Sequence, residues 1–448
     1  MDLNTLELQD IGEIVRKVRK ERGLRLEDLA DENISPATIS NVERGVPHVG
    51  QEKALYLINK LGIELSEVPK LLHGQQRELK QLQKTLFQIE CLGDQGNSRE
   101  ALKKLDKLDL ENSHPYSAYY YYIKGKCHSR LKNSAKAERA LFNAIRLASQ
   151  TDTNIEASAF AELSLVAYYQ NDLETALKYV NSGMDAFVDN GNRSHSIHVL
   201  KRNKAIYLER LGRLGEAIGV VHEVWDSLPE MEQVETKLSF YWLRAELARR
   251  TGVYDEAIKY AEAGLELARF NYQYSSMFDL WTVLAGVHME LKEWEQAEGC
   301  FEMALSLKEK VIGGEKDRFI TAYARLGILY MKQNRKEEAH KMLSEAILLG
   351  QKLNDLPRLT YALQLMGDFY RKQNKTQNAI TYYQQGLEIA RKHQLKKREY
   401  EALLHLAQCF ENVDEQEFTR LTQNMYKVLI DLKNKGSESK WISGSEKA

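Results

Sequence analysis

The run Ser35-Pro36-Ala37-Thr38-Ile39-Ser40-Asn41 carries the most legible chemistry in this chain. Ser35 suits a helix N-cap and Pro36 the first helical position, so a short helix is predicted from Pro36 to a stop at Gly45. Ile39 and Val42, with Ile34 before them, should face a core, leaving Ala37, Thr38, Asn41 and Arg44 outward. A short helix with small and polar residues at its exposed N-terminal end can enter a DNA major groove, where Pro36, Ala37, Thr38 and Asn41 would read bases. Arg16, Lys17, Arg19, Lys20, Arg22 and Arg25 fall within ten residues, opposed there only by Glu21. From that run Arg16, Lys20 and Arg25, together with Arg44, are the candidates for holding backbone phosphate.

No catalytic constellation is legible elsewhere. His195 and His198 lie one helical turn apart, but no H-E-x-x-H pattern accompanies them, and Arg202 and Lys204 would repel a cation. There is no phosphate-binding glycine loop, and Gly313-Gly314 reads as a plain turn after a long helix. Cys91, Cys127, Cys300 and Cys409 are too dispersed for a zinc site and read as thiols of a reducing cytosol. We expect no enzyme activity, no metal and no cofactor.

The helix at Pro36 must be positioned by neighbours. Leu26, Leu29 and Ala30 predict a short helix before it, joined by a tight turn at residues 31–33. An earlier helix is expected over 11–22 with Ile14, Val15 and Val18 inward, and later ones over 51–61 and 64–72. Residues 1–10 read as a loose arm or a first turn, and Val46-Pro47-His48 as a loop. After His73-Gly74, the polar stretch 75–83 reads as a stiff helical connector, because no Gly-, Ser- or Pro-rich spacer is present.

From about residue 80 the sequence repeats. Ala101, Ala137, Ala176, Ala217, Ala257, Ala297, Ala339 and Ala379 recur at gaps of 36, 39, 41, 40, 40, 42 and 40 residues, each inside a small–aromatic–alanine pattern. This is the tetratricopeptide signature with slightly lengthened helices or loops. A ninth helical pair, over 399–432, lacks the alanine and would cap the open end. Such an array presents its first helices on a concave face. That face should carry Tyr122 and Lys126 in the second repeat, Glu162, Leu165, Tyr168 and Tyr169 in the third, and Arg202, Asn203, Ile206, Glu209 and Arg210 in the fourth. Trp242, Glu246 and Arg249 follow in the fifth, then Asp279, Thr282, Met289, Arg325, Gln364, Asp368 and Arg371. Amides, guanidinium groups and aromatic rings together suit a short extended peptide. In the run Tyr119 to Tyr122, at least two rings must pack between helices, which leaves Tyr122, and less readily Tyr119, for a ligand.

The segment Gly23 to Gly45 resembles the helix-turn-helix of Xre/Cro-type repressors, with Leu29-Ala30, Ile34-Ser35, Thr38-Ile39-Ser40, Glu43 and Gly45 at that family's spacings. Two features depart from the pattern. Arg25-Leu26 stands where many relatives have Thr-Gln, and Asp31-Glu32-Asn33 is one residue short. The shortened turn before tandem helical repeats resembles the RNPP group (Rap, NprR, PlcR, PrgX, with Rgg). That resemblance implies quorum-sensing regulation by a short signalling peptide, with first-helix asparagines gripping the ligand backbone; Asn203 matches that place.

The 448 residues are 43% hydrophobic and 28% charged, with a net charge of −1 and six prolines. Residues 1–72 hold ten Lys/Arg against thirteen Asp/Glu, so DNA binding would rest on a local patch rather than a global field. No run is apolar and long enough to span a membrane. The expected fold is all-α: a five-helix Xre-type domain over 1–72, a helical linker over 73–83, a right-handed tetratricopeptide superhelix of eight to nine helix pairs over 84–432, and a disordered tail over 433–448. Trp441 in that tail could make a docking contact. The expectation is a cytoplasmic, homodimeric transcription regulator that binds double-stranded DNA at two half-sites, as helix-turn-helix geometry requires. The alternatives are a module that sequesters a response-regulator protein through its repeats, and a regulator whose repeats only dimerise.

Overall fold

The computed structural model describes residues 8–46, 50–64, 67–108, 110–148, 153–311 and 314–435. Every extended element among them is a helix; Asp31 and Ile34 form a single isolated bridge. The chain divides into two compact units, Met1–Leu131 and Lys132–Ala448.

The first unit contains α1 (Leu8–Glu21), α2 (Pro36–Glu43), α3 (Gln51–Lys60), α4 (Val68–Asp94), α5 (Ser98–Leu105) and α6 (Ser117–Arg130). Ile11, Ile14 and Val15 of α1 meet Ile39 and Val42 of α2 and Ala54, Leu57 and Ile58 of α3 in one core, with Leu29, Ile34 and Val68. The expected helix before α2 is only one 3-10 turn, Glu27–Leu29. The Asp31 carboxylate accepts hydrogen bonds from the backbone N–H of Asn33 and Ile34, a local turn that competes with helix continuation. Lys60 and Tyr56 also bond that carboxylate and, with the Asn33 N–H, hold its pKa well below the usual range. The expected fifth helix and connector are not separate elements. Both lie in α4, which runs unbroken through His73-Gly74 into the first repeat.

The second unit begins with α7 (Ser134–Ala148) and continues as seven helix pairs. These are α8 (Ile155–Tyr169) with α9 (Leu173–Asp185), α10 (Ser196–Arg210) with α11 (Leu214–Trp225), and α12 (Val234–Arg250) with α13 (Tyr254–Phe270). Then come α14 (Tyr274–Glu290) with α15 (Trp294–Ser306), α16 (Arg318–Lys332) with α17 (Lys336–Leu353), α18 (Leu356–Arg371) with α19 (Thr376–Lys392), and α20 (Lys396–Phe410) with α21 (Glu415–Lys435). The eight signature alanines are all at 0% exposure. Their size is the reason for the repeat, since a larger residue would hold the paired helices apart. Gly367 shows the same constraint, because a Cβ there would lie 2.3 Å from the Tyr383 ring. First helices close on left-handed residues such as Asn171, Lys292, Asn334 and Asn374, which turn the chain into the second helix. The ninth pair, α20 and α21, buries Leu403, Leu406, Leu421 and Val428. Residues 1–7, the Pro47-His48 loop tip, Gly313 and the tail with Trp441 lie outside the described residues, while 433–435 belong to α21.

Candidate nucleic-acid interface and ligand groove

The local sequence builds α2 as a presented helix. The Ser35 hydroxyl accepts the Thr38 N–H at 3.2 Å and Pro36 occupies the first turn. Ala37 is exposed, and Pro36, Thr38 and Asn41 are half-buried, while Ile39 and Val42 are at 0% exposure. Arg44 is exposed and donates to the Asn41 side-chain oxygen at 2.5 Å and to the Ser40 carbonyl at 3.3 Å. Thus Arg44 also orients Asn41.

Two contacts seat α2 from behind. Gly12 of α1 passes so close that a Cβ there would lie 2.1 Å from the Val42 carbonyl oxygen. Arg19 grips Glu43 with both ends of its guanidinium and donates to the Leu24 carbonyl at 2.8 Å. Gly12 was not singled out by sequence, where a glycine within an amphipathic helix gives no sign of a close approach.

The basic run on α1 is not an open patch. Arg16 donates to Ser113 at 2.6 Å, with Glu111 at 3.8 Å; Lys20 donates to Glu111 at 2.5 Å; Lys17 donates to Glu78 at 2.6 Å. Arg22 donates to the Leu61 carbonyl at 2.6 Å. Of the four phosphate candidates, Arg16 and Lys20 are therefore engaged by the segment before α6, whereas Arg25 and Arg44 are exposed. Lys20 holds the Glu111 carboxyl below the usual glutamate range.

Tyr122 and Lys126 belong to the first unit and serve its packing. Tyr122 is 5% exposed, and Lys126 lies over its ring while pairing with Glu90 and Asp94. Tyr119 is also buried, with its hydroxyl on Glu90 at 2.6 Å. Neither ring is offered to a ligand in this arrangement.

In the second unit the expected groove residues sort into two groups. Asn203 is 1% exposed: its amide donates to Ser164 at 3.2 Å and its oxygen accepts from Arg202 at 3.0 Å. It therefore binds side chains of the repeat array and is not presented as a backbone clamp. Glu209, 5% exposed, is held by Arg250 at 2.5 Å. Glu246 and Arg249 pair at 2.8 and 2.9 Å, Asp279 accepts from Arg318 at 2.6 Å, and Asp368 accepts the Tyr383 hydroxyl at 2.6 Å. Gln364 lies 2.9 Å from His405, whose pKa burial pushes down. The other group keeps accessible surface. Tyr169 is 69% exposed, Tyr168 stacks on Tyr207 at 5.3 Å, and Glu162, Arg202, Trp242 and Arg325 are half-buried. Arg250, Arg318 and His405 were missed by sequence because each acts through a partner about 40 residues away.

The helix-turn-helix family model matches residues 15–68, and tetratricopeptide-repeat models match 238–271, 276–352 and 360–393. A Rap protein solved with Competence and Sporulation Factor superposes with a TM-score of 0.57 at 12% identity, covering 79% of this chain and 99% of that one. Apo NprR, a quorum sensor of B. thuringiensis, gives 0.58 at 14% identity, covering 78% and 99%. The chain shares the helical repeat fold of these two proteins. In sequence it is 24% identical over 190 residues to response regulator aspartate phosphatase E of Bacillus subtilis (strain 168). That match spans 42% of this chain and half of the relative's length. No described helix is long and apolar enough to cross a membrane.

Proposed function

We propose that this chain is a cytoplasmic transcription regulator whose α2 enters the DNA major groove and whose repeats hold a short signalling peptide that controls the binding. The observation that carries the reading is α2 itself, a capped helix with Ala37, Thr38 and Asn41 at its accessible end and its rear fixed by Gly12 and the Arg19–Glu43 pair. Two copies would engage two half-sites about one turn of DNA apart. Pro36, Ala37, Thr38 and Asn41 read bases, and Arg25 and Arg44 hold phosphate; Arg16 and Lys20 join them only after leaving Ser113 and Glu111. The peptide half is supported by the mixed polar and aromatic surface of α8, α10 and α12, and by the shared fold with NprR and Rap. In this reading the chain catalyses no reaction.

The test is DNA binding by the purified full chain to its own upstream region, with and without peptide extract from culture medium, and with light scattering on the same samples. A peptide-dependent change in affinity is expected. DNA affinity indifferent to every extract would overturn the peptide switch.

The similarity to response regulator aspartate phosphatase E favours a second reading, in which the repeats dock a response-regulator protein. A chain that ignores DNA yet retains such a partner would support it.

A further inference from the structure

In the second unit α12 packs directly on α14, and α16 on α18, but α14 and α16 hardly meet. Connector length permits the difference. Residues 271–273 join α13 to α14 and residues 354–355 join α17 to α18, so those helices must lie side by side. Residues 307–317 separate α15 from α16, a span long enough to let the next pair splay.

α14 and α16 come together near their first turns, where the buried Phe278 and Phe319 rings have centroids 4.5 Å apart. Beside those rings Arg318 donates to the Asp279 carboxylate at 2.6 Å, with side-chain exposures of 34% and 32%. The rest of the seam leans on α15. Its Cys300 and Phe301 share a core with Leu280, Val283 and Leu284 of α14 and with Ile320 and Ala324 of α16. Its Glu298 accepts from Tyr330 at 2.8 Å and from Arg335 at 2.5 Å, which ties α15 to the pair that follows.

Tilting one repeat against the next at α12–α14 or α16–α18 would pull apart a close-packed helix face. At α14–α16 the same tilt pivots on two rings and stretches one partly exposed ion pair. Such a pair is weak and screened by salt. We propose that the α14–α16 seam is the flexion point of the repeat array, and that Asp279 and Arg318 form the clasp that holds it closed. Tyr168, Arg202 and Trp242 lie before the seam, and Arg325, Gln364 and Asp368 after it. Flexion there changes the spacing of the two sets while leaving the packing within each intact. This holds whatever ligand or partner the repeats take.

The array supplies its own control. Arg358 of α18 donates to Asp317, at the start of α16, at 2.6 Å with exposures of 38% and 33%, but across helices that pack. The test places nitroxides, through p-azidophenylalanine, at the exposed positions Glu266 of α13 and Glu388 of α19 in the full chain. Labelled chain is diluted with unlabelled chain, so that pulsed electron–electron resonance reads distances within one molecule. A second pair, at the exposed Lys178 of α9 and Glu266, lies wholly before the seam. Arg318→Gln and Asp279→Asn should each broaden the 266–388 distance distribution and leave 178–266 unchanged. Arg358→Gln should leave both distributions as in wild type. Thermal melts of the three variants exclude unfolding as the cause. An unchanged 266–388 distribution in both clasp variants, or equal broadening in Arg358→Gln, would overturn the flexion point.

Discussion

Arg19 and Glu43 meet as a two-bond fork, Nε to Oε1 at 2.5 Å and Nη2 to Oε2 at 2.9 Å, with side-chain exposures of 12% and 7%. The fork joins the end of α1 to the end of α2. Glu43→Ala leaves the guanidinium buried without its partner, which costs about 3 kcal/mol or more. Thermal melting of the isolated 1–131 segment and of the full chain should show the loss in both. An unchanged melting temperature would mean that hydrophobic packing alone seats α2.

Gly12→Ala tests the other contact behind α2. With the Val42 carbonyl oxygen 2.1 Å from the new methyl, α1 must back away from the helix it supports. Destabilisation of about 3 kcal/mol is expected, the upper end for overpacking. Ser35→Ala, which removes only the N-cap, should cost about 1 kcal/mol. The order of the two variants in urea unfolding checks the assignment.

Arg44→Ala should weaken binding to every DNA sequence and reduce the salt slope by about one counterion. Because Arg44 also bonds the Asn41 side chain, it should relax base preference as well. Asn41→Ala alone should relax specificity by about 1–3 kcal/mol without changing the salt slope. Equal salt dependence in wild type and Arg44→Ala would remove Arg44 from the phosphate contacts.

The bonds from Lys20 and Arg16 to Glu111 and Ser113 fasten α1 to the segment before α6. They are exposed, so their contribution is under about 1 kcal/mol and falls with salt. The Glu111 pKa is depressed in the folded chain, so the contact is complete above the ordinary glutamate range. It is lost as pH falls through the lower folded value. Hydrogen-exchange protection over residues 110–116, taken relative to the intrinsic rate at each pH, should fall with salt and with acid in the wild type. Glu111→Gln should show the lower protection already at neutral pH and low salt.

Much of this architecture could be read from sequence because its causes are local. Ala217 or Ala297 marks a helix crossing within one repeat, and Ser35-Pro36 marks the start of α2 within two residues. The misreadings have distant causes. Nothing near Lys20 announces Glu111, 91 residues on, and nothing near Asn203 announces Ser164 on the first helix of the preceding repeat. A basic run and a polar inner helix look alike in sequence whether they face solvent, a ligand or another part of the same chain. Asp31 shows a third case: a short polar turn shortened the expected helix to a single 3-10 turn, although Leu26, Leu29 and Ala30 kept helical spacing.

The continuous α4 sets an angular phase as well as a distance. Its 27 residues span about 40 Å, with Val68 in the core of the helix-turn-helix at one end and packing on α5 and α6 at the other. Each residue added between Gln75 and Gln83 would turn one end against the other by about 100°, whereas seven would restore the facing after roughly two turns. Length in this segment is therefore quantised: the chain can gain or lose whole turns there far more easily than single residues.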